Sequence, residues 1–221
     1  MKRGAFITLE GIDGTGKSTQ LRLLSKHLRA RGYAVTLTRE PGGTRMGEAI
    51  RRLLLVSRPG NLEPLAELAL MYAARAQLLE EVIRPALAKG QVVLSDRFND
   101  ASLAYQGYGR KLGAEIVRAL DRIVCGKTQP DLTIVLDLEP REALARTRRR
   151  PATRMTRAGR FESEGLEFHE RVRAGYLAIA RREPRRVKVI KTDRQVRGVQ
   201  AEIRSLVEQV LGRRSHALAQ K

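Results

Sequence analysis

The chain has no tryptophan, and aromatic residues make up 4% of its 221 positions. A single-strand nucleic-acid surface needs a ring beneath each stacked base, so that kind of platform is poorly supplied here. Its one cysteine, Cys125, cannot close an internal disulfide. It falls in the helix-like stretch "EIVRALDRIVC", where a thiol packs as a small apolar group. No run reaches the roughly 18 apolar residues that span a bilayer. The opening "MKRGAFITLEG" meets Glu10 and Gly11 too early for a secretory leader. These absences set the expectation of a soluble protein that is not exported and works in a reducing, cytoplasmic setting, with no membrane partner.

Acids are also scarce. Lys and Arg number 43 against 24 Asp and Glu, a formal net charge of +19. Such a surface favours polyanionic partners, and much of the excess also serves as plain solvated surface. With 42% hydrophobic residues, the chain can supply one ordinary core, and residues 1–221 read as a single domain with small insertions,.

What is present is an alternation. "AFITLEG" reads as a short buried strand, and "KSTQLRLLSKHLRARG" as an amphipathic helix closed at Gly32. "YAVTLTRE" is a second strand, "PGGT" a turn and "RMGEAIRRLLL" a helix. A long helical pattern runs from Glu63 to Gly90, with Pro85 expected to kink it near its end. "QVVLSDR", "DLTIVLDL" and "RRVKVIKTD" complete five strands. Helices come between them, over Ala114–Cys125 and from near Pro140, and "VQAEIRSLVEQVL" follows the last. Strands alternating with helices predict an α/β fold with a parallel sheet covered on both faces. The tail, about 212–221, reads as frayed.

Between the first strand and the first helix, Gly11 to Ser18 fits G-x-x-x-x-G-K-[ST], in the strand–loop–helix context that the motif requires. Glycines allow backbone N–H groups to turn inward around phosphate oxygens, and the helix N-terminus adds partial positive charge. Gly11, Ile12, Asp13, Gly14, Thr15, Gly16, Lys17, Ser18 and Thr19 are therefore the candidate triphosphate cradle. Lys17 reaches the terminal phosphates, and Ser18 is placed to ligate Mg²⁺.

Three further stretches, "TREPGGT" (Thr38–Thr44), "MYAARAQ" (Met71–Gln77) and "DRFNDASLAYQGYGR" (Asp96–Arg110), resemble in order and spacing the signatures of thymidylate kinases. The resemblance runs from about Phe6 to about Leu211 and includes the "GRFE" element after an arginine-rich insert. No guanine-reading N-K-x-D is present, which argues against a G protein.

The resemblance implies a P-loop nucleoside monophosphate kinase fold with a five-stranded sheet and a short lid at about 146–162. It implies phosphorylation of dTMP to dTDP with ATP and Mg²⁺, in a homodimer, with nucleic acid not required. By the same resemblance Asp13 sits near the deoxyribose, Arg39 and Arg97 hold the acceptor phosphate, and Arg75 reads the thymine edge with Pro41 packed on the base. Tyr105 crowds the ribose 2′ position, with Ser102 and Gln106 beside it. Asp96 ends a strand at the carboxyl edge of the sheet, suited to a Mg²⁺-water or arginine-orienting role. Met71 stands where related bacterial enzymes carry a Phe to stack on the base.

The loop itself carries no cation except Lys17, since its variable positions are Ile12, Asp13, Gly14 and Thr15. Bacterial relatives with arginine-free loops use lid arginines, and the segment Arg141–Arg160 holds eight arginines and one acid, Glu142. Arg148, Arg149, Arg150, Arg154 and Arg157 are the candidates for a catalytic cation. Two other readings stand beside this one: a kinase of another nucleoside monophosphate, and a nucleic-acid-binding P-loop ATPase suggested by the charge.

Overall fold

A computed structural model describes residues 4–56, 62–149, 161 and 164–219. Five parallel strands form one sheet in the order β2-β3-β1-β4-β5. They are β1 (Ala5–Glu10), β2 (Val35–Arg39), β3 (Val92–Asp96), β4 (Leu132–Asp137) and β5 (Val187–Lys191). The central strand β1 pairs with β3, setting Leu9 against Asp96, and with β4, setting Glu10 against Val135. All six residues of β1 are buried, as expected for a parallel strand covered on both faces.

Period-two alternation divides the core between those faces. Ile7, Leu94 and Ile134 pack against Leu21, Leu24 and Leu28 of α1 (Lys17–Ala30) and against Val199, Ile203 and Val207 of α9 (Val196–Ala219). Phe6, Val93 and Val135 face the other way. They pack with Leu78 at the end of α3 (Pro64–Leu78) and with Val172 and Tyr176 of α8 (Leu166–Arg182). The remaining helices are α2 (Arg45–Val56), α4 (Arg84–Ala88), α5 (Asn99–Ser102), α6 (Ala114–Val124) and α7 (Pro140–Arg148).

Two local outcomes refine the sequence reading. The kink expected at Pro85 is a π-helical turn, Leu79–Ile83, between α3 and α4. Proline lacks an N–H and its ring clashes with the carbonyl four residues back, so one wider turn just before it accommodates both defects. A second π-helical stretch, Leu103–Gly109, follows α5. Over the tail expected to fray from about 212, the backbone is helical as far as Ala219, the end of α9.

Because β3 and β4 flank β1 on opposite sides, the chain turns away from the sheet on both sides of the same strand end. That crevice at the carboxyl edge is where open α/β sheets bind ligands.

Candidate active site

The loop from Gly11 to Gly16 leaves β1 and enters α1 at Lys17. Gly14 has φ 90°, and a Cβ there would stand 2.1 Å from the Ala143 carbonyl oxygen. Only glycine combines that left-handed backbone with that approach. Thr15 Oγ1 donates to the Ile12 carbonyl at 2.9 Å. Lys17 is buried, and its Nζ donates to the carbonyls of Gly11 and Ile12 at 3.0 Å each. Burial and the neighbouring Arg97 charge lower its pKa. Ser18 and Thr19 are exposed on the first turn of α1, and Ser18 Oγ donates to Asp96 Oδ2 at 3.0 Å.

Arg97 follows Asp96 with φ 74°, a left-handed backbone uncommon for a residue with a Cβ,. Its Nη1 donates to the Gly11 carbonyl at 2.8 Å and to the Tyr176 hydroxyl at 3.2 Å. Its Nη2 donates to Asp13 Oδ1 at 2.8 Å and to the Tyr105 hydroxyl at 3.0 Å. Burial works to raise the Asp13 carboxyl, but the Arg97 and Lys17 charges overcome it and hold the group at about 2. Asp13 is thus an anion at any ordinary pH.

These residues form one wall of a cavity of about 320 Å³. All nine side chains expected around the acceptor line it: Asp13, Arg39, Pro41, Met71, Arg75, Arg97, Ser102, Tyr105 and Gln106. Gly14, Gly16, Lys17, Ser18 and Asp96 line it too, so the glycine loop opens directly onto this cavity.

Arg75 is the most constrained of the set. It is 2% exposed, with Nε donating to Glu40 Oε2 at 2.8 Å and Nη2 donating to the Phe98 carbonyl at 3.1 Å and to Ser102 Oγ at 2.9 Å. Its guanidinium carbon lies 4.4 Å from the centre of the Tyr72 ring and 5.3 Å from that of Phe98. Nη1 alone has no hydrogen-bond partner. A buried, immobilised donor with one unused nitrogen beside a cavity is suited to an acceptor atom of a ligand. Burial pushes the Glu40 carboxyl up to about 7 against the opposing Arg75 charge.

Elsewhere in the cleft, Arg39 forms a two-oxygen contact with Glu48 at 2.9 and 3.0 Å. Gln106 donates to the buried Glu67 at 2.7 Å. Tyr105 meets Phe161 edge to face at 5.5 Å between ring centres. Met71 lines the cavity and packs beside Ile50, Leu54 and Ala74.

Of the lid candidates, Arg148 is the last residue of α7 and Arg149 follows it, and both are exposed. Arg150, Arg154 and Arg157 lie outside the described residues.

Sequence reasoning missed several wall residues. Arg51, on α2, lines the cavity and donates from Nη1 to the Pro41 carbonyl at 2.8 Å. Burial and the Arg39 charge lower its pKa. Its helical phase was available, because Arg51 lies one turn from both Glu48 and the cavity-lining Leu55. Phe161 sits inside the noted "GRFE" element and Glu40 inside "TREPGGT", and neither had been given a role.

The sheet order, the phosphate loop at the carboxyl edge and an adjoining cleft rich in arginine define a P-loop kinase of the nucleoside monophosphate class. Comparison with known proteins narrows the class. A sequence model described as thymidylate kinase matches residues 9–203. A thymidylate kinase of Desulfovibrio desulfuricans is 51% identical over 215 residues, covering 96% of this chain and 99% of that one. A thymidylate kinase of Caulobacter vibrioides is 50% identical over 212 residues, covering 96% and 100%. The crystal structure of thymidylate kinase from Ehrlichia chaffeensis superposes with a TM-score of 0.75 at 33% identity, covering 93% of this chain and 99% of that one. The chain belongs to the thymidylate kinase family.

Proposed function

We propose that the protein transfers the γ-phosphoryl group of ATP to dTMP, giving dTDP and ADP, as a step of nucleotide biosynthesis. The observation that carries the reading is Arg75, which lines the cavity and whose buried Nη1 has no hydrogen-bond partner. Arginine donates and never accepts. A keto oxygen on the base edge, as in thymine, fits this nitrogen, and the exocyclic amino group of cytosine does not. Pro41 and Met71 supply the apolar contacts for the ring, and Ser102 and Gln106 lie beside them.

The acceptor is already a phosphate anion, so no strong general base is required. Positioning and charge neutralisation do the work. Arg39, Arg51 and Arg97 meet the acceptor phosphate, whose oxygens match the guanidinium fork. Asp13 lies toward the sugar, and Tyr105 packs against the 2′ position. Lys17 neutralises the transferring phosphoryl group, and the backbone N–H groups of Gly11 to Thr19 cradle the ATP phosphates.

Among the described residues no group of three or more His, Cys, Asp or Glu could hold a metal by itself. Ser18 and Asp96 instead bring two hard oxygens together at 3.0 Å. That donor set suits Mg²⁺, which takes one or two protein oxygens and completes its shell from phosphates and water. Bound there, the ion would offset the negative charge of the ATP phosphates.

The lid span and a catalytic arginine among Arg148, Arg149, Arg150, Arg154 and Arg157 belong to this reading, as do a homodimer and a cytoplasmic location. Met46, Leu53 and Leu65 stand exposed on α2 and α3, where a second copy could cover them. No described helix is long and apolar enough to cross a membrane.

The test is to incubate the protein with ATP labelled in its γ-phosphoryl group, Mg²⁺ and dTMP. Label in the terminal phosphate of dTDP supports the reading. Label released only as inorganic phosphate, with a steeply salt-dependent affinity for DNA, would favour the nucleic-acid-dependent ATPase instead.

A further inference from the structure

Two side chains outside the lining of this cavity reach Arg97 from the core side. Glu10, the last residue of β1, is fully buried, and both its oxygens are engaged. Oε1 accepts from the Phe98 backbone N–H at 2.7 Å, and Oε2 accepts from the Tyr176 hydroxyl at 2.7 Å. Tyr176, 1% exposed on α8, accepts in turn from Arg97 Nη1 at 3.2 Å.

The Glu10 carboxyl therefore meets Arg97 by two routes. Through the backbone, it anchors the N–H that directly follows the left-handed residue. Ser95 Oγ donates to the Arg97 carbonyl at 2.7 Å, and the Arg97 N–H donates to the Leu9 carbonyl at 3.0 Å. Through the side chain, the polarity is fixed. A guanidinium has only donors, so the tyrosine oxygen must accept from Arg97 and its proton is free for Glu10. A left-handed turn at a residue with a Cβ persists only where its surroundings over-determine it, and these bonds are those surroundings.

We propose that Glu10 and Tyr176 form a buried brace that aims Arg97 at the acceptor phosphate, which makes both of them positioning residues for phosphoryl transfer. The proposal rests on the assignment of Arg97 to that phosphate. Without the brace the guanidinium must be ordered when the phosphate binds, at a cost in affinity. Thymidine has the base and sugar but no phosphate, so it does not sense the brace.

The test is calorimetric titration of dTMP and of thymidine into wild type, Tyr176→Phe, Glu10→Gln, Arg97→Ala and the double variant Tyr176→Phe/Arg97→Ala. Tyr176→Phe keeps the ring that meets Tyr105 edge to face at 6.4 Å and removes only the hydroxyl. It is expected to weaken dTMP about tenfold, the scale of one hydrogen bond to a charged group. Thymidine affinity should stay within about twofold, and the double variant should bind dTMP no more weakly than Arg97→Ala alone. Glu10→Gln, if folded by its thermal melt, should repeat the pattern; if it does not fold, Tyr176→Phe decides the matter alone.

Equal losses of dTMP and thymidine in Tyr176→Phe, or full additivity with Arg97→Ala, would reduce Glu10 and Tyr176 to core packing and overturn the brace. If Arg97→Ala itself leaves the ratio of dTMP to thymidine affinity unchanged, the phosphate assignment falls and takes the brace with it. That failure is distinct from one in which Arg97→Ala behaves as expected and Tyr176→Phe does not.

Discussion

Ser18 Oγ donates a 3.0 Å hydrogen bond to Asp96 Oδ2, tying the first turn of α1 to the end of β3 across a separation of 78 residues. The bond brings the only hydroxyl of the G-K-[ST] signature to a strand-end carboxylate. If this pair holds Mg²⁺, Asp96→Asn keeps the shape and loses the charge. The Mg²⁺ concentration giving half-maximal turnover should then rise about tenfold or more, with dTMP affinity little changed. An unchanged Mg²⁺ dependence would remove Asp96 from the metal's surroundings.

Met71 lines the cavity and also touches the small cluster of Ile50, Leu54 and Ala74. A thioether adapts to a ring face without fixing it. Met71→Phe should tighten dTMP by about fivefold, the order of one aromatic stacking contact. The measurement is a dTMP titration alongside a thermal melt. Equal affinity at equal stability would mean that position 71 does not meet the base.

Glu10 carries a pH signature of fixed sign. Burial pushes its carboxyl up from 4.5 to about 8, against the opposing charge of Arg97. Between those values the folded protein holds a proton that the unfolded chain has released. The group's contribution to stability is therefore complete below the lower value and is lost as pH rises through the upper one. Glutamine does not titrate. Measured by denaturant unfolding, the stability of wild type relative to Glu10→Gln should fall between about pH 5 and about pH 8. A difference that is flat or rises over that range would contradict the buried, proton-holding carboxyl.

The phosphate loop has no arginine, and Arg97 is assigned to the acceptor phosphate rather than to the group in transfer. A further transition-state cation is expected from Arg148, Arg149, Arg150, Arg154 and Arg157. One of the five Arg→Ala changes should lower turnover at least about a hundredfold with dTMP affinity nearly unchanged, because the lost contact forms only in the transition state. Steady-state kinetics of the single variants and of the combined one decide the matter. Turnover within a few fold of wild type throughout would leave these arginines as solvated surface.

The sheet was legible because parallel strands covered on both faces read as unbroken apolar runs, and "AFITLE" and "LTIVLD" are wholly buried. The cradle was legible because its backbone demands glycine at fixed spacing. The cavity-lining residues could be read from short motifs whose members lie close along the chain. Glu10 could not be read in that way: it looks like a polar interruption at the end of an apolar strand, and its partners, Phe98 and Tyr176, are 88 and 166 residues away. Arg51 was hidden by Arg52 beside it, and only helical phase separates the cavity-lining residue from its exposed neighbour. The π-helical turn before Pro85 depends on how the helix resolves a missing donor, and sequence marks the place without the form.

The central claim is that this cleft accepts a deoxynucleotide with a keto pyrimidine base, read by Arg75. Its most direct test is kcat/KM for ADP formation with saturating ATP·Mg²⁺ across dTMP, dUMP, dCMP, dAMP, dGMP and UMP. The account predicts dTMP first, dUMP next, and dCMP lower than dTMP by at least about a hundredfold, since its amino group would oppose the unpartnered Nη1 of Arg75. Equal or better turnover with dCMP or a purine nucleotide would contradict it.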